Sequence, residues 1–249
     1  MRKSTSWENE YVVGEYQKEL ILPNLLRLME IKPFDKVHGK QGDVILDVAC
    51  GSGFFANEFF KKGAKVVGVD ISDKLIKLAK KNYPKIDFRA GSAEKLSFLK
   101  DKSFDKAVMI LAIQNMEKVQ EALLECAKVL KPHGKLFIVM THPAFRALKE
   151  SSWGWDEKNQ VQYRRIDRYL SESKERILMH PGDAPGEFTI SFNRPLQYYF
   201  KAINKAGMAV GRLEEWNSHK KSEAGPRAKA EDIARKEIPL FLMMEAIKV

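Results

Sequence analysis

Asp47, Gly51, Gly53 and Asp70 are the residues whose types and spacing can carry chemistry. Asp47 stands inside the apolar run Val44-Ile45-Leu46-Asp47-Val48, where a carboxylate is costly unless something pairs with it. Gly51 and Gly53 follow in the turn Ala49-Cys50-Gly51-Ser52-Gly53, which permits close backbone approach by a ligand. A helix opening at Phe54 would aim its first amides at whatever is bound. Asp70 ends a second apolar run, Lys65-Val66-Val67-Gly68-Val69, where an acid is placed to accept hydrogen bonds from a ribose diol. This chemistry is recognition of an adenosine-containing ligand. The glycine pattern alone also suits a dinucleotide. Asp47 decides between them, because a carboxylate before the glycine turn repels a pyrophosphate and attracts a cation.

The elements that must position these residues alternate strand and helix, which predicts a parallel sheet covered on both faces. Strands are expected at Val44–Val48, Lys65–Asp70, Ile86–Ala90, Ser103–Leu111 and Lys135–Thr141. Helices are expected after Gly53, after the Ser72 or Asp73 cap, and from Val119 to Leu130. Lys131-Pro132-His133-Gly134 reads as a turn. A helix around Leu196, Tyr199 and Ile203, a strand near Gly207–Leu213 and a final strand from Ile238 to Val249 complete the core. Residues 1–42 read as an N-terminal helical cap. Residues 43–249 read as one domain with an insertion at about 150–191, rich in aromatic and polar residues and without regular periodicity. That insertion is a candidate substrate lid. Residues 218–236 read as a polar excursion.

Leu46-Asp47-Val48-Ala49-Cys50-Gly51-Ser52-Gly53 resembles the first motif of class I S-adenosylmethionine-dependent methyltransferases, of the type 11 kind. Phe104-Asp105-Lys106-Ala107 resembles the family's fourth strand. Leu130-Lys131-Pro132-His133-Gly134 resembles its Leu-Lys-Pro-Gly-Gly turn. The resemblance implies a Rossmann-like α/β fold: a seven-stranded, mostly parallel sheet, helices on both faces, an antiparallel last strand and an inserted lid. It implies S-adenosylmethionine as cofactor, S-adenosylhomocysteine as product, and methyl transfer by in-line displacement. Asp47 would meet the methionine ammonium, or serve as a structural carboxylate bonded to the loop amides. Ala49, Cys50, Gly51, Gly53 and Phe54 would surround the methionine part. Asp70 would take the ribose and Ile71 one adenine face. Ser92 and Ala93 would lie at the adenine edge, with Leu111 closing the pocket and Tyr16 covering it. Ser92 stands where the family usually has an acid.

Candidates for the acceptor side are Tyr11, Tyr163, Arg164 and Arg194. His142, His180 and Tyr163 are candidate bases, against a plain turn or surface role for each. The chain reads Ile113-Gln114-Asn115-Met116 where methyltransferases of base amino groups resemble Asn-Pro-Pro-Tyr, so that class is disfavoured.

Composition bounds the rest. The 249 residues are 44% hydrophobic and 31% charged, as in a globular protein. No apolar run approaches membrane-spanning length, and the N-terminus lacks a signal-peptide core. The two cysteines lack metal-ligand spacing, so two reduced thiols in a cytoplasmic protein and no metal are expected. The formal charge of +10 raises an RNA partner, but the lysines are scattered as on a solvated surface. Small-molecule methyl transfer is therefore the leading expectation. An RNA-directed methyltransferase, or an RNA- and cofactor-binding module, is the alternative. An NAD-dependent oxidoreductase ranks third.

Overall fold

The structure, a computed structural model, describes residues 41–178, 188–218 and 220–249. Tyr11, Tyr16, His180 and all but the last two residues of the expected N-terminal cap lie outside the described residues. In chain order the core begins with β1 (Val44–Val48), α1 (Phe54–Lys61), β2 (Lys65–Asp70), α2 (Asp73–Asn82) and β3 (Asp87–Ala90). It continues with β4 (Phe104–Ile110), α3 (Val119–Val129) and β5 (Leu130–Thr141). Two hairpins follow, β6 (Ser151–Asp156) with β7 (Val161–Ile166), and β8 (Ser173–Leu178) with β9 (Phe188–Asn193). The chain returns through α4 (Leu196–Lys205), β10 (Met208–Trp216), α5 (Ala228–Glu237) and β11 (Phe241–Lys248).

The main sheet has seven strands in the order β10-β11-β5-β4-β1-β2-β3. Its β5-β4-β1-β2-β3 part is parallel, and β11 runs antiparallel between β5 and β10. This is the expected Rossmann-like sheet.

Alternation along the strands feeds two cores. Leu46 and Val48 of β1, Leu136 and Ile138 of β5 and Met244 of β11 pack with Leu123 of α3 and Tyr199 of α4. Ile45, Phe137 and Met243 point to the other face, with Phe59 of α1 and Ile76 of α2. Both faces are covered, so the strands read as continuous apolar runs. Each such fully buried side chain contributes roughly 1.5–3 kcal/mol.

The turn after β1 is held from behind by β3. Gly53, the N-cap of α1, has φ 84°, and a Cβ there would come within 2.6 Å of the buried Phe88 ring. Gly53→Ala is therefore expected to lower unfolding stability by about 2 kcal/mol or more, read as a fall in the urea midpoint. An unchanged midpoint would mean that the turn does not need its left-handed backbone.

Three local expectations are corrected. The turn Lys131–Gly134 is a bulge inside β5: Phe104 pairs with Leu130 and Lys106 with Lys135, so β5 spends extra residues across the same span. His133 takes φ 59° in it. The described part of the insertion is not irregular but two hairpins, and both faces of β6 and β7 stay partly exposed, which removes the apolar alternation that would have marked them. The polar excursion contains α5, in which Ala234 is the buried residue, so no apolar stripe advertised it.

Candidate cofactor and acceptor cavity

The carboxyl ends of β1, β2, β4 and β5 open into a cavity of about 940 Å³. Ligands in such sheets sit beyond strand C-termini. At the β1 end Ala49 (φ 59°), Gly51 (φ 54°) and Gly53 (φ 84°) are all left-handed, which curls the chain tightly and sets Ala49 and Gly51 on the cavity wall. At the β4 end Leu111 has φ 52° and also lines the cavity. A non-glycine residue rarely holds this backbone, and such strain concentrates at functional sites. Ala49 and Leu111 hold it where the chain turns onto the cavity wall.

Asp70 fastens the β1 turn to β2. Its Oδ2 accepts from the Gly51 amide at 2.9 Å and its Oδ1 from the Ser72 amide at 2.9 Å. It also lines the cavity, beside Ile71, an apolar side chain left 66% exposed. Ser92, Ala93 and Glu94 follow on the turn after β3. Ser92 Oγ accepts from the Glu94 amide at 3.1 Å, so this hydroxyl caps its own turn. Glu94 brings to the wall a carboxylate that the sequence pattern places two residues earlier.

Asp47 is 1% exposed. The Ala56 amide hydrogen-bonds the carboxylate, yet its Oδ2 is buried without a partner. Burial first, and then the charge of Asp70, push its pKa up to about 7. A half-satisfied buried carboxylate calls for an explanation.

Among the cofactor candidates, Ala49, Gly51, Asp70, Ile71, Ser92, Ala93 and Leu111 come together on the cavity wall. Asp47, Cys50, Gly53 and Phe54 do not line it. The Cys50 thiol lies against Gly68 of β2, and burial pushes its pKa well up. Gly53 faces Phe88, and the helix turns Phe55 rather than Phe54 into the cavity.

On the acceptor side, His142 at the end of β5 lines the cavity, but both ring nitrogens are engaged. Nδ1 accepts from the amides of Ala144 (3.2 Å) and Phe145 (3.4 Å), which puts the ring proton on Nε2. Nε2 then donates to Glu215 at 2.7 Å. Burial holds the imidazole pKa below its ordinary value. His142 is thus a neutral brace and not a free base. Arg194 also faces the cavity, but its donors go to the carbonyls of Met116 and Glu117, each at 2.9 Å. Arg164 sits outside the lining and bonds the Phe145 carbonyl (2.8 Å) and Ser151 Oγ (2.6 Å). Tyr163 is exposed and covers Gly154 across the β6–β7 hairpin. Tyr163 and Arg164 thus lie outside the cavity lining and brace the β6–β7 hairpin. The lining residues that sequence did not suggest include Phe55, Glu94, Arg146, Trp153 and Arg235.

Among the described residues no group of His, Cys, Asp and Glu could hold a metal ion, and no helix is long and apolar enough to cross a membrane.

Comparison with known proteins agrees with this geometry. Residues 46–138 match the methyltransferase domain family. The demethylmenaquinone methyltransferase of Renibacterium salmoninarum is 38% identical over 112 residues, 45% of this chain and 47% of that protein. The chain thus spans about half the length of the curated relatives it matches. A solved S-adenosylmethionine-dependent methyltransferase from Mesorhizobium loti has TM-score 0.68 at 24% identity, covering 90% of this chain and 96% of that one. A counterpart from Listeria monocytogenes also gives 0.68, at 21% identity over 92% of this chain and 100% of that one. At these identities the structures speak for the fold, and the matched domain speaks for the lineage. Residues 46–138 are thus similar to the methyltransferase domain family, and the fold around them is that of solved S-adenosylmethionine-dependent methyltransferases.

Proposed function

We propose that the chain methylates a small-molecule acceptor held in the cavity, using S-adenosylmethionine. The observation that carries this reading is the unpartnered, buried Asp47 oxygen in β1, just before the turn that lines the cavity with Ala49 and Gly51. It suits a cofactor that carries an ammonium and a sulfonium and no phosphate. When bound, the cofactor supplies a methyl group already activated by the positive sulfur.

The residues fit that group. Asp70 accepts the Gly51 and Ser72 amides and, with about four acceptor positions on its carboxylate, suits the ribose hydroxyls. Ile71 presents an apolar face for the adenine, and Ser92, Ala93 and Glu94 form its edge. Ala49 and Gly51 offer backbone to the methionine part. Residues 111–116 and 140–148 separate this end from the acceptor end, where the chain's work is to align the nucleophile and exclude water. The described part of the insertion 150–191 serves as the acceptor lid in this reading.

The size of the cavity and the relatives named for demethylmenaquinone support a small acceptor. An RNA acceptor has less behind it. Several described basic residues outside the cavity pair with acids, such as Lys106 with Asp43 (2.6 Å) and Lys131 with Asp105 (2.6 Å), as on a solvated surface. Asp47 opposes a dinucleotide pyrophosphate.

Calorimetric titration of ligand-stripped protein with S-adenosylmethionine and with NADH tests the reading. Micromolar-order binding of S-adenosylmethionine and none of NADH is expected. The reverse order would assign the pocket to a nicotinamide cofactor.

A further inference from the structure

Charges in the cavity are segregated. Among the described residues its acids are Asp70 and Glu94 at the cofactor end, and Glu117, which pairs with Lys174 at 3.0 Å. The opposite wall carries Arg146 from the turn after β5, Arg235 from α5 and Lys220 from the loop before α5, while Lys118 and Arg194 line the cavity beside Glu117.

Arg146 is the unusual member. Its Nε is buried without a hydrogen-bond partner, and among the described residues no carboxylate pairs with it. Burial, and then the charges of Arg164 and Arg235, bring its pKa down to about 10. Its guanidinium lies 5.1 Å from the centre of the Trp153 ring, and Arg164 lies 5.2 Å from the same ring. Arg164 is spent on Phe145 and Ser151, so it fixes Trp153 while Arg146 stays unspent. Arg235 repeats the pattern: its Nε is buried and unpartnered, and it reaches Glu231 only at 3.6 Å. Among the described residues Arg146 has no carboxylate partner and Arg235 only the distant Glu231, and partly buried cations of like charge are costly unless an anion joins them. The guanidinium fork matches a carboxylate in plane and spacing. Around it the wall is apolar, from Leu148, Trp153, Ile190, Leu240 and Phe241.

We propose that the methyl acceptor is an organic anion with an apolar body, whose carboxylate is anchored by Arg146 and Arg235 against Trp153. This rests on the methyltransferase reading of the same cavity. It places a cationic cofactor at the acidic end and an anionic acceptor at the basic end.

The test titrates the full chain with octanoate, octanamide and octyl phosphate, and with S-adenosylmethionine in the same samples. Octanoate is expected to bind at least tenfold more tightly than octanamide, and more tightly than octyl phosphate. In Arg146→Met the octanoate preference should shrink to within about twofold, while S-adenosylmethionine affinity stays within about twofold of wild type. Arg235→Met should lower the preference in the same direction, and it serves if the first variant does not fold. Equal binding of octanoate and octanamide by the wild type would overturn the anion site, as would a preference that survives both variants. Tighter binding of octyl phosphate would overturn the assignment to a carboxylate. Failure of S-adenosylmethionine binding with the octanoate preference intact counts against the cofactor reading instead, so the two failures are told apart.

Discussion

Asp70→Ala is expected to weaken S-adenosylmethionine binding on the order of a hundredfold, because two hydrogen bonds to a charged acceptor are lost with the ribose. The geometry adds a second consequence. Asp70 also accepts the amides of Gly51 and Ser72, which ties the β1 turn to the end of β2. Alanine leaves both donors without that acceptor, at a cost of about 1–3 kcal/mol for each that water does not reach. Calorimetry must therefore be read beside a thermal melt. Asp70→Asn separates the effects. It retains one oxygen and the side-chain volume, so its melt should fall less than that of alanine, while binding should still drop by about tenfold or more. A folded Asp70→Ala protein that binds S-adenosylmethionine within threefold of wild type would remove Asp70 from the ribose site.

The frame of this site was legible because its signals are local. Gly53 announces a left-handed turn, Val44–Val48 and Lys65–Val69 announce buried strands, and Ser72 does cap α2, accepting from the Leu75 amide at 3.2 Å. What escaped is set by tertiary register. Phe54 and Phe55 are adjacent and chemically alike, and only the orientation of α1 decides which one reaches the cavity. Ala49 and Leu111 are left-handed without being glycine, so nothing in their identity flags them. His142 sits where a base was expected, but its partner Glu215 lies on β10, across the sheet. Arg146 comes from an unpatterned turn and Arg235 from a helix without an apolar stripe. Their meeting follows from how α5 is placed, and no spacing rule connects them. The β6–β7 hairpin was hidden for the opposite reason, since its two partly exposed faces give no period to read.

Asp47→Asn is expected to make the ligand-free protein more stable and its cofactor binding weaker. The wild-type carboxyl has a pKa of about 7 in the folded chain against an ordinary value of 3.8. Between those values the unfolded chain releases the proton and the native chain keeps it. Native stability therefore falls as pH rises from about 4 to about 7, and the penalty is complete above that. Asparagine carries no charge, so its advantage should grow across the same window and level off above neutrality. The shift sets a ceiling of about 4 kcal/mol, and half of that still raises the melting temperature by roughly 4–8 °C. The same change removes the charge that the proposed reading sets near the cationic cofactor. Wild-type affinity for S-adenosylmethionine should rise between pH 6 and pH 8 as Asp47 ionises, and the variant should be flat and about tenfold weaker at pH 8. Melts and titrations at three pH values check both halves together. A variant that melts lower than wild type at pH 8 would show that Asp47 is paid for by the loop amides, as a structural carboxylate. A variant that is more stable but binds with unchanged affinity would show that its buried charge faces something other than the cofactor.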